Sequence, residues 1–262
     1  MSTIDTDTRR VPPLGGFSAT FLKLELRRLL RNRRTVIFTL VMPSVFFLIF
    51  GTGKNLKGDM SVGNGTNVTA YIMVGMAVYG AMIAATSGGA IVATERAVGW
   101  SRQLRLTPLK PIAYVATKGL VAMSTGAVAI VVVSVVGSFA GAKIPLHTLL
   151  LCDFLGWLCT LVFALFGLFM GYLLPSENVM QVLGPALAIL ALGGGLFTPL
   201  DNFSSTFQTV AKFVPSYGVG VISRYPIGHE GNLGIAILNV VAWVAIFALG
   251  AAWRMSKDTQ RV

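Results

Sequence analysis

The sequence predicts an all-α membrane protein with six transmembrane helices. Three observations carry this prediction: 54% of the 262 residues are hydrophobic, only 12% are charged, and the mean hydropathy is +0.73. A soluble domain of this size has about 25% charged residues. Because the apolar runs approach the length that crosses a bilayer as a helix, lipid is the expected solvent for most of the chain.

The apolar runs define a single transmembrane domain, residues 17–255. A flexible cytoplasmic tail, residues 1–16, is expected before it, and a short cytoplasmic tail, residues 256–262, after it. The N-terminal region lacks the early apolar core of a cleavable signal peptide, so the first run is expected to stay in the membrane. The predicted spans are residues 35–51, 70–93, 112–139, 149–174, 179–199 and 232–253.

Bends are expected in the first and fifth spans, because proline lacks a backbone donor and glycine weakens a helix. The outer segment 200–231 is semi-apolar and punctuated by prolines, which predicts short broken helices covered by the rest of the bundle. The candidate hinge residues are Pro43 in the first span and Gly184, Pro185, Gly193, Gly194 and Gly195 in the fifth.

We attribute the net charge of +11 to membrane topology and not to nucleic-acid binding, because the cations form short clusters between apolar runs. With the N-terminus inside, most of the 21 Lys and Arg residues fall on the cytoplasmic side, as the positive-inside rule requires. Both termini of this multi-pass protein are therefore predicted in the cytoplasm. The composition suits a protein of the plasma (inner) membrane of a bacterium. Membrane lipid is an expected partner, and nucleic acid is not.

Residues 17–34 predict a basic amphipathic helix that lies in the cytoplasmic membrane interface. Its leucines share one broad face and its cations the other; a solvated juxtamembrane stretch is the alternative interpretation. The residues assigned to this interfacial helix are Leu22, Lys23, Leu26, Arg27, Arg28, Leu30 and Arg31.

No catalytic, metal-binding or cofactor-binding constellation is found. His147 and His229 are isolated in predicted outer loops, and the two cysteines, Cys152 and Cys159, lie two turns apart in one apolar run. The phosphate-binding pattern Gly-x-x-x-x-Gly-Lys-Ser/Thr is absent. The chain is therefore not expected to be an enzyme, and any ATP and magnesium would be bound by a partner.

The cytoplasmic loop after the second span has the most informative motif: Glu95-Arg96, a glycine at position 99, and then Leu104-Arg105-x-Thr-Pro-Leu. This pattern resembles the corresponding loop of type-2 ABC transporter permeases, the membrane subunits of drug and polysaccharide exporters. Other features of residues 17–255 agree with the resemblance, including the basic amphipathic helix and Met42-Pro43.

The resemblance implies that this loop forms a coupling helix that docks on a separate ATP-binding subunit. It also implies a second permease subunit, either identical or similar, so homodimer and heterodimer both remain open. The residues assigned to coupling are Glu95, Arg96, Gly99, Trp100, Arg102, Leu104, Arg105, Thr107 and Pro108, with Glu177 in the turn after the fourth span as a secondary contact.

The expected function is outward movement of an amphipathic drug, antibiotic or lipid-like substrate. Two alternatives remain: a lipid-linked polysaccharide exporter subunit, and a channel or carrier unrelated to ABC transporters. The aromatic stretch of the fourth span fits helix packing better than a sugar-stacking track. Similarly, the small residues of the second span predict close helix packing, either at a central interface or within one subunit.

Overall fold

The computed structural model describes residues 19–31, 33, 37–53, 61–99, 111–228 and 231–259. The helices are α1 (Ala19–Arg31), α2 (Met42–Gly51), α3 (Val68–Ala97), α4 (Pro111–Phe139), α5 (Leu146–Cys159), α6 (Leu161–Leu173), α7 (Ser176–Gly193), α8 (Ser205–Ala211), α9 (Pro215–Arg224) and α10 (Leu233–Thr259). A π-helical turn, Ile37–Val41, precedes α2, and a 3-10 turn, Leu200–Asn202, precedes α8.

Five helical segments are long and apolar enough to cross a membrane: Val68–Ala97, Ala113–Phe139, Leu146–Leu173, Ser176–Gly193 and Leu233–Met255. They coincide with the second to sixth predicted spans. The first predicted span appears as a shorter apolar helix, Thr39–Gly51. At 1.5 Å per residue it is about 20 Å long, less than the ~30 Å hydrocarbon core. The sixth crossing therefore stays a prediction.

A small β-hairpin departs from the all-α prediction. Strand β1 (Ser61–Gly63) pairs antiparallel with β2 (Thr66–Asn67). The turn between them is Asn64-Gly65, and both residues have positive φ, 46° and 69°. Asn-Gly favours this type of hairpin turn because both residues tolerate the left-handed conformation.

Helix α3 lies at the centre of the bundle, and 89% of the residues in its apolar 18-residue window are buried. Glycines on α3 allow the neighbouring helices to approach closely: a Cβ on Gly88 would lie 2.9 Å from the Cα of Ala122, and one on Gly89 would lie 2.6 Å from the backbone nitrogen of Leu168. These neighbours belong to α4 and α6. Of the two interpretations of the small residues, packing within one subunit is the one that the structure shows.

The predicted hinge residues occupy different local structures. Pro43 stands in the first turn of α2, directly after the π-helical turn. Gly184 and Pro185 are inside α7, which continues to Gly193. Gly195, two residues later, has a φ of +74° in the turn that follows. Movement at these positions stays a prediction.

The outer segment after α7 contains the short helices α8 and α9. Ser204 caps α8 by accepting a hydrogen bond from the backbone N–H of Phe207 at 3.4 Å. Pro215 starts α9, where its missing N–H leaves no donor unsatisfied. The segment is thus broken into short helices, as the prolines predict.

Candidate functional site

A cluster of buried charges connects α1, α3 and α4 at the end of the bundle where α3 ends and α4 begins. Lys118 is 1% exposed, and its Nζ donates to Glu25 Oε2 at 2.9 Å and to Glu95 Oε1 at 2.6 Å. Both carboxylates are also buried. We call Glu25, Arg28, Glu95, Tyr114 and Lys118 the charge cluster.

Glu95 is the hub of the charge cluster. Besides Lys118, it accepts a hydrogen bond from Arg28 Nη1 at 3.1 Å and another from the Tyr114 hydroxyl. The Arg28 side chain is 55% exposed, so its ion pair is screened by solvent and contributes less than the buried one. The two carboxylates and two cations balance in charge, which is what allows Lys118 to be buried at all.

The position of the cluster is what makes it a candidate for coupling. Glu25 is on α1, Glu95 is in the last turn of α3, and Lys118 is in the second or third turn of α4. Residues 100–110 connect α3 to α4, and they contain most of the predicted coupling helix. The cluster therefore ties the predicted interfacial helix to both ends of the predicted coupling segment.

Arg96, the neighbour of Glu95, fixes the end of α3 against α6. Its Nη1 donates to the backbone oxygens of Gly171 and Tyr172 at 3.2 and 3.1 Å, and its guanidinium lies 5.5 Å from the centre of the Tyr172 ring. These carbonyls belong to the last turn of α6, where a cation is favoured by the helix dipole. Consecutive residues of the Glu95-Arg96 motif thus anchor α3 to different neighbours.

Helix α3 ends in a glycine turn. Gly99 has a φ of +72°, and its N–H donates to the carbonyl of Arg96 at 3.1 Å. Glycine adopts this conformation without the steric penalty of a side chain. The chain can therefore change direction within the predicted coupling segment, directly before residue 100.

The other predicted residues are placed as follows. The cations Lys23, Arg27, Arg28 and Arg31 are exposed on α1, and Glu177 is exposed in the first turn of α7. The side chains of Leu22, Leu26 and Leu30 lie outside the described residues, as do Trp100, Arg102, Leu104, Arg105, Thr107 and Pro108.

Sequence reasoning missed three members of the charge cluster: Glu25, Tyr114 and Lys118. Lys118 is one of the cations that indicate the cytoplasmic side, and Glu25 is the single acid within residues 17–34. That lone carboxylate among cations was the available signal for Glu25. Arg224, a cation of the outer segment 200–231, is 4% exposed at the end of α9, because backbone carbonyls and a tyrosine surround it.

The described residues offer no group of three or more His, Cys, Asp and Glu side chains that could hold a metal ion. His147 is exposed in the first turn of α5. Asp153, on the same helix, accepts a hydrogen bond from the Ser134 hydroxyl at 2.9 Å. This pair links α5 to α4.

Comparison with known proteins places these features in a family. The family described as ABC-2 type transporter matches residues 19–225. YvfS of Bacillus subtilis (strain 168), which carries the name of a transport permease, is 26% identical over 234 residues, which cover 86% of this chain and 91% of that protein. Nodulation protein J of Rhizobium leguminosarum bv. trifolii is 29% identical over 236 residues, 84% of this chain and 86% of that protein.

The family match extends from the first residue of α1 to just beyond α9 and includes every member of the charge cluster. The family is the membrane component of ABC transporters, which generally lacks its own ATPase and works with an ATP-binding subunit. Five membrane-capable helices agree with a multi-pass membrane protein. The chain belongs to the ABC-2 type transporter family.

Proposed function

We propose that this chain is the permease subunit of an ATP-driven exporter that moves an amphipathic drug, antibiotic or lipid-like substrate outward. The family match and the named transport permease support the transporter part of the proposal. The observation that carries the mechanism is the charge cluster, which joins the three helices around the predicted coupling segment.

In the proposed mechanism, two permease subunits, identical or similar, line the pathway. Two ATP-binding subunits, which carry the ATP and magnesium, dock on residues 100–110 of each permease from the cytoplasm. Both termini face the same side, and the membrane is the plasma membrane of a bacterium. ATP binding needs only to stabilise one arrangement of the helices over the other.

In this mechanism, the charge cluster connects the docking segment, residues 100–110, to α1. A displacement of the coupling segment pulls on the last turn of α3 and the first turns of α4. Because Lys118 bridges Glu25 and Glu95 within hydrogen-bonding distance, α1 follows the same displacement. The interfacial helix and the two spans thus move together rather than independently.

An amphipathic substrate is favoured over a polysaccharide by the packing of the aromatic side chains. Phe163 is fully buried, and Phe247 of α10 lies 5.1 Å from Phe166 and 6.2 Å from Phe169, measured between ring centres. Rings that stack sugars must expose their faces to the pathway. These rings instead hold α6 against α10.

The test is co-purification followed by transport. An ATP-binding subunit should co-purify with the native chain, and Arg105→Glu should reduce ATP-driven transport at least tenfold while the complex still forms. Lys143→Glu makes the same charge change near the opposite end of the bundle, so it should transport normally. If no ATP-binding chain accompanies the permease, or if Arg105→Glu transports at the normal rate, the proposal is wrong.

A further inference from the structure

A second polar site lies at the other end of the bundle from the charge cluster. There, an open cavity of about 430 Å³ is lined by the start of α3, the turn after α7, the helices α8 and α9, and the residues before α10. Its polar wall includes Tyr71, Asp201, Lys212, Tyr217, Arg224 and Asn232.

Arg224 is the unusual feature of the wall. It is 4% exposed, and its Nη1 donates to the Tyr71 hydroxyl at 3.0 Å and to the carbonyl of Gly195 at 2.9 Å, while Nη2 donates to the carbonyl of Leu196 at 2.7 Å. The guanidinium also lies 4.1 Å from the centre of the Tyr71 ring. Its Nε is buried and has no hydrogen-bond partner within the described part of the chain.

All these partners are neutral. Across residues 19–31, 33, 37–53, 61–99, 111–228 and 231–259, no carboxylate oxygen lies within the 4.0 Å of an ion pair to Arg224. A buried cation without a counter-ion is strongly unfavourable. Lys212, exposed on the same wall, adds a second positive charge, and Asp201 is the one acid among the described residues that line the cavity. The described part of the wall is therefore net positive.

The guanidinium is held rigidly where an anion could meet it. A Cβ on Gly75 would collide with Nη2 of Arg224 and with the carbonyl of Leu196, so the glycine opens the space that the guanidinium occupies. Three hydrogen bonds then fix the plane of the group. A fixed, partly desolvated guanidinium is well suited to oxyanions, because little conformational freedom is lost on binding.

We propose that this cavity binds a phosphate group, carried either by an anionic lipid headgroup or by a soluble phosphate ester. Arg224 and Lys212 supply the positive charge, and the phenol of Tyr217 and the amide of Asn232 supply neutral hydrogen bonds to the group that bears the phosphate. The volume accommodates a phosphoglycerol headgroup and not only a single ion. The site goes beyond the proposed function and does not depend on the direction of transport.

The test measures binding to the purified chain in zwitterionic nanodiscs without any ATP-binding subunit, so its result is independent of the export proposal. The probes are radiolabelled inorganic phosphate and a short-chain phosphatidylglycerol, with a short-chain diacylglycerol, which has no phosphate and no charge, as the control. Saturable phosphate binding identifies a soluble source, and binding of phosphatidylglycerol alone identifies a lipid source. Either result supports the proposal, and binding of neither probe above the control overturns it.

Variants locate the binding. Arg224→Gln removes three hydrogen bonds and endangers folding, so the exposed Lys212 carries the test: Lys212→Gln should weaken binding about fivefold through the lost charge. Lys143→Gln makes the same change on an exposed lysine outside the cavity and should bind normally. Equal affinity for the Lys212→Gln variant and the unmodified chain would overturn the proposed location.

Glu230 is an acid near the cavity, and its charge is tested by a separate variant. Glu230 lies outside the described residues but precedes Gly231, which lines the cavity. Glu230→Gln should leave phosphate binding within about twofold. If phosphate binds only after this substitution, Glu230 is the internal counter-ion of Arg224, and the proposal is wrong.

Discussion

Replacing Lys118 by methionine tests the buried charge cluster directly. Methionine keeps most of the length and volume of the side chain but removes the ammonium that bridges Glu25 and Glu95 at 2.9 and 2.6 Å. Glu95 retains Arg28 and Tyr114. Glu25 is left with one contact, 3.8 Å from the half-exposed Arg28. Glu25 is therefore the residue that loses most.

The magnitude follows from how a stranded carboxylate responds. Breaking a buried pair by removing one partner typically destabilises by about 3–5 kcal/mol. We expect Lys118→Met to lower the free energy of unfolding by about 3–4 kcal/mol at pH 7.

Equilibrium unfolding of the purified chain in detergent at pH 7 measures this loss. Lys212→Met removes an exposed lysine outside the charge cluster and should change stability by less than about 0.5 kcal/mol. A loss below about 1 kcal/mol for Lys118→Met would show that the buried ion pairs are not formed as described.

Three other substitutions test the packing and the caps by the same unfolding assay. Gly89→Val should destabilise the folded chain by more than about 3 kcal/mol, because the valine side chain would overlap the backbone of α6. At Gly119 a Cβ meets nothing within 4 Å, so the control Gly119→Val should lose about 1 kcal/mol or less. Equal losses for the two variants would contradict the close packing of α3 against α6. Asn67→Ala removes the acceptor for the N–H of Ala70 at 2.9 Å and should lose about 1–2 kcal/mol, so an unchanged midpoint would argue against the cap. Arg96→Ala removes two hydrogen bonds to carbonyls and should lower the free energy of unfolding by about 2–3 kcal/mol. Arg96→Lys keeps the charge and should lower it less. A larger loss for Arg96→Lys than for Arg96→Ala would contradict the assigned contacts.

Much of the fold follows from hydropathy and from the positions of glycine and proline. Five predicted spans coincide with membrane-capable helices, because lipid-facing helices must be apolar over their whole length. The hairpin was missed although Asn64-Gly65 is a strong turn signal. Its strands are only three and two residues long, too short for any alternation of apolar and polar residues to appear.

The candidate site was harder to predict, because it depends on contacts between residues far apart in sequence. Glu95 could be singled out from its motif, but its partners could not: Lys118 is on another span and Glu25 is on α1. A lysine near the end of a span looks the same in sequence whether it reaches water or a buried carboxylate. Arg224 shows the same limit, since its acceptors are mainly backbone carbonyls, which every residue has.

In the proposed mechanism, the charge cluster transmits ATP-driven movement from the coupling segment to α1. The variant that isolates this role is Glu25→Gln combined with Lys118→Met, which removes one negative and one positive charge together and leaves Glu95 paired with Arg28. The most direct measurement is the amount of substrate transported per ATP hydrolysed, with the complex reconstituted in proteoliposomes. We expect this double variant to assemble and hydrolyse ATP but to transport at least tenfold less substrate per ATP. An unchanged ratio of substrate transported to ATP hydrolysed would show that the charge cluster does not transmit the movement.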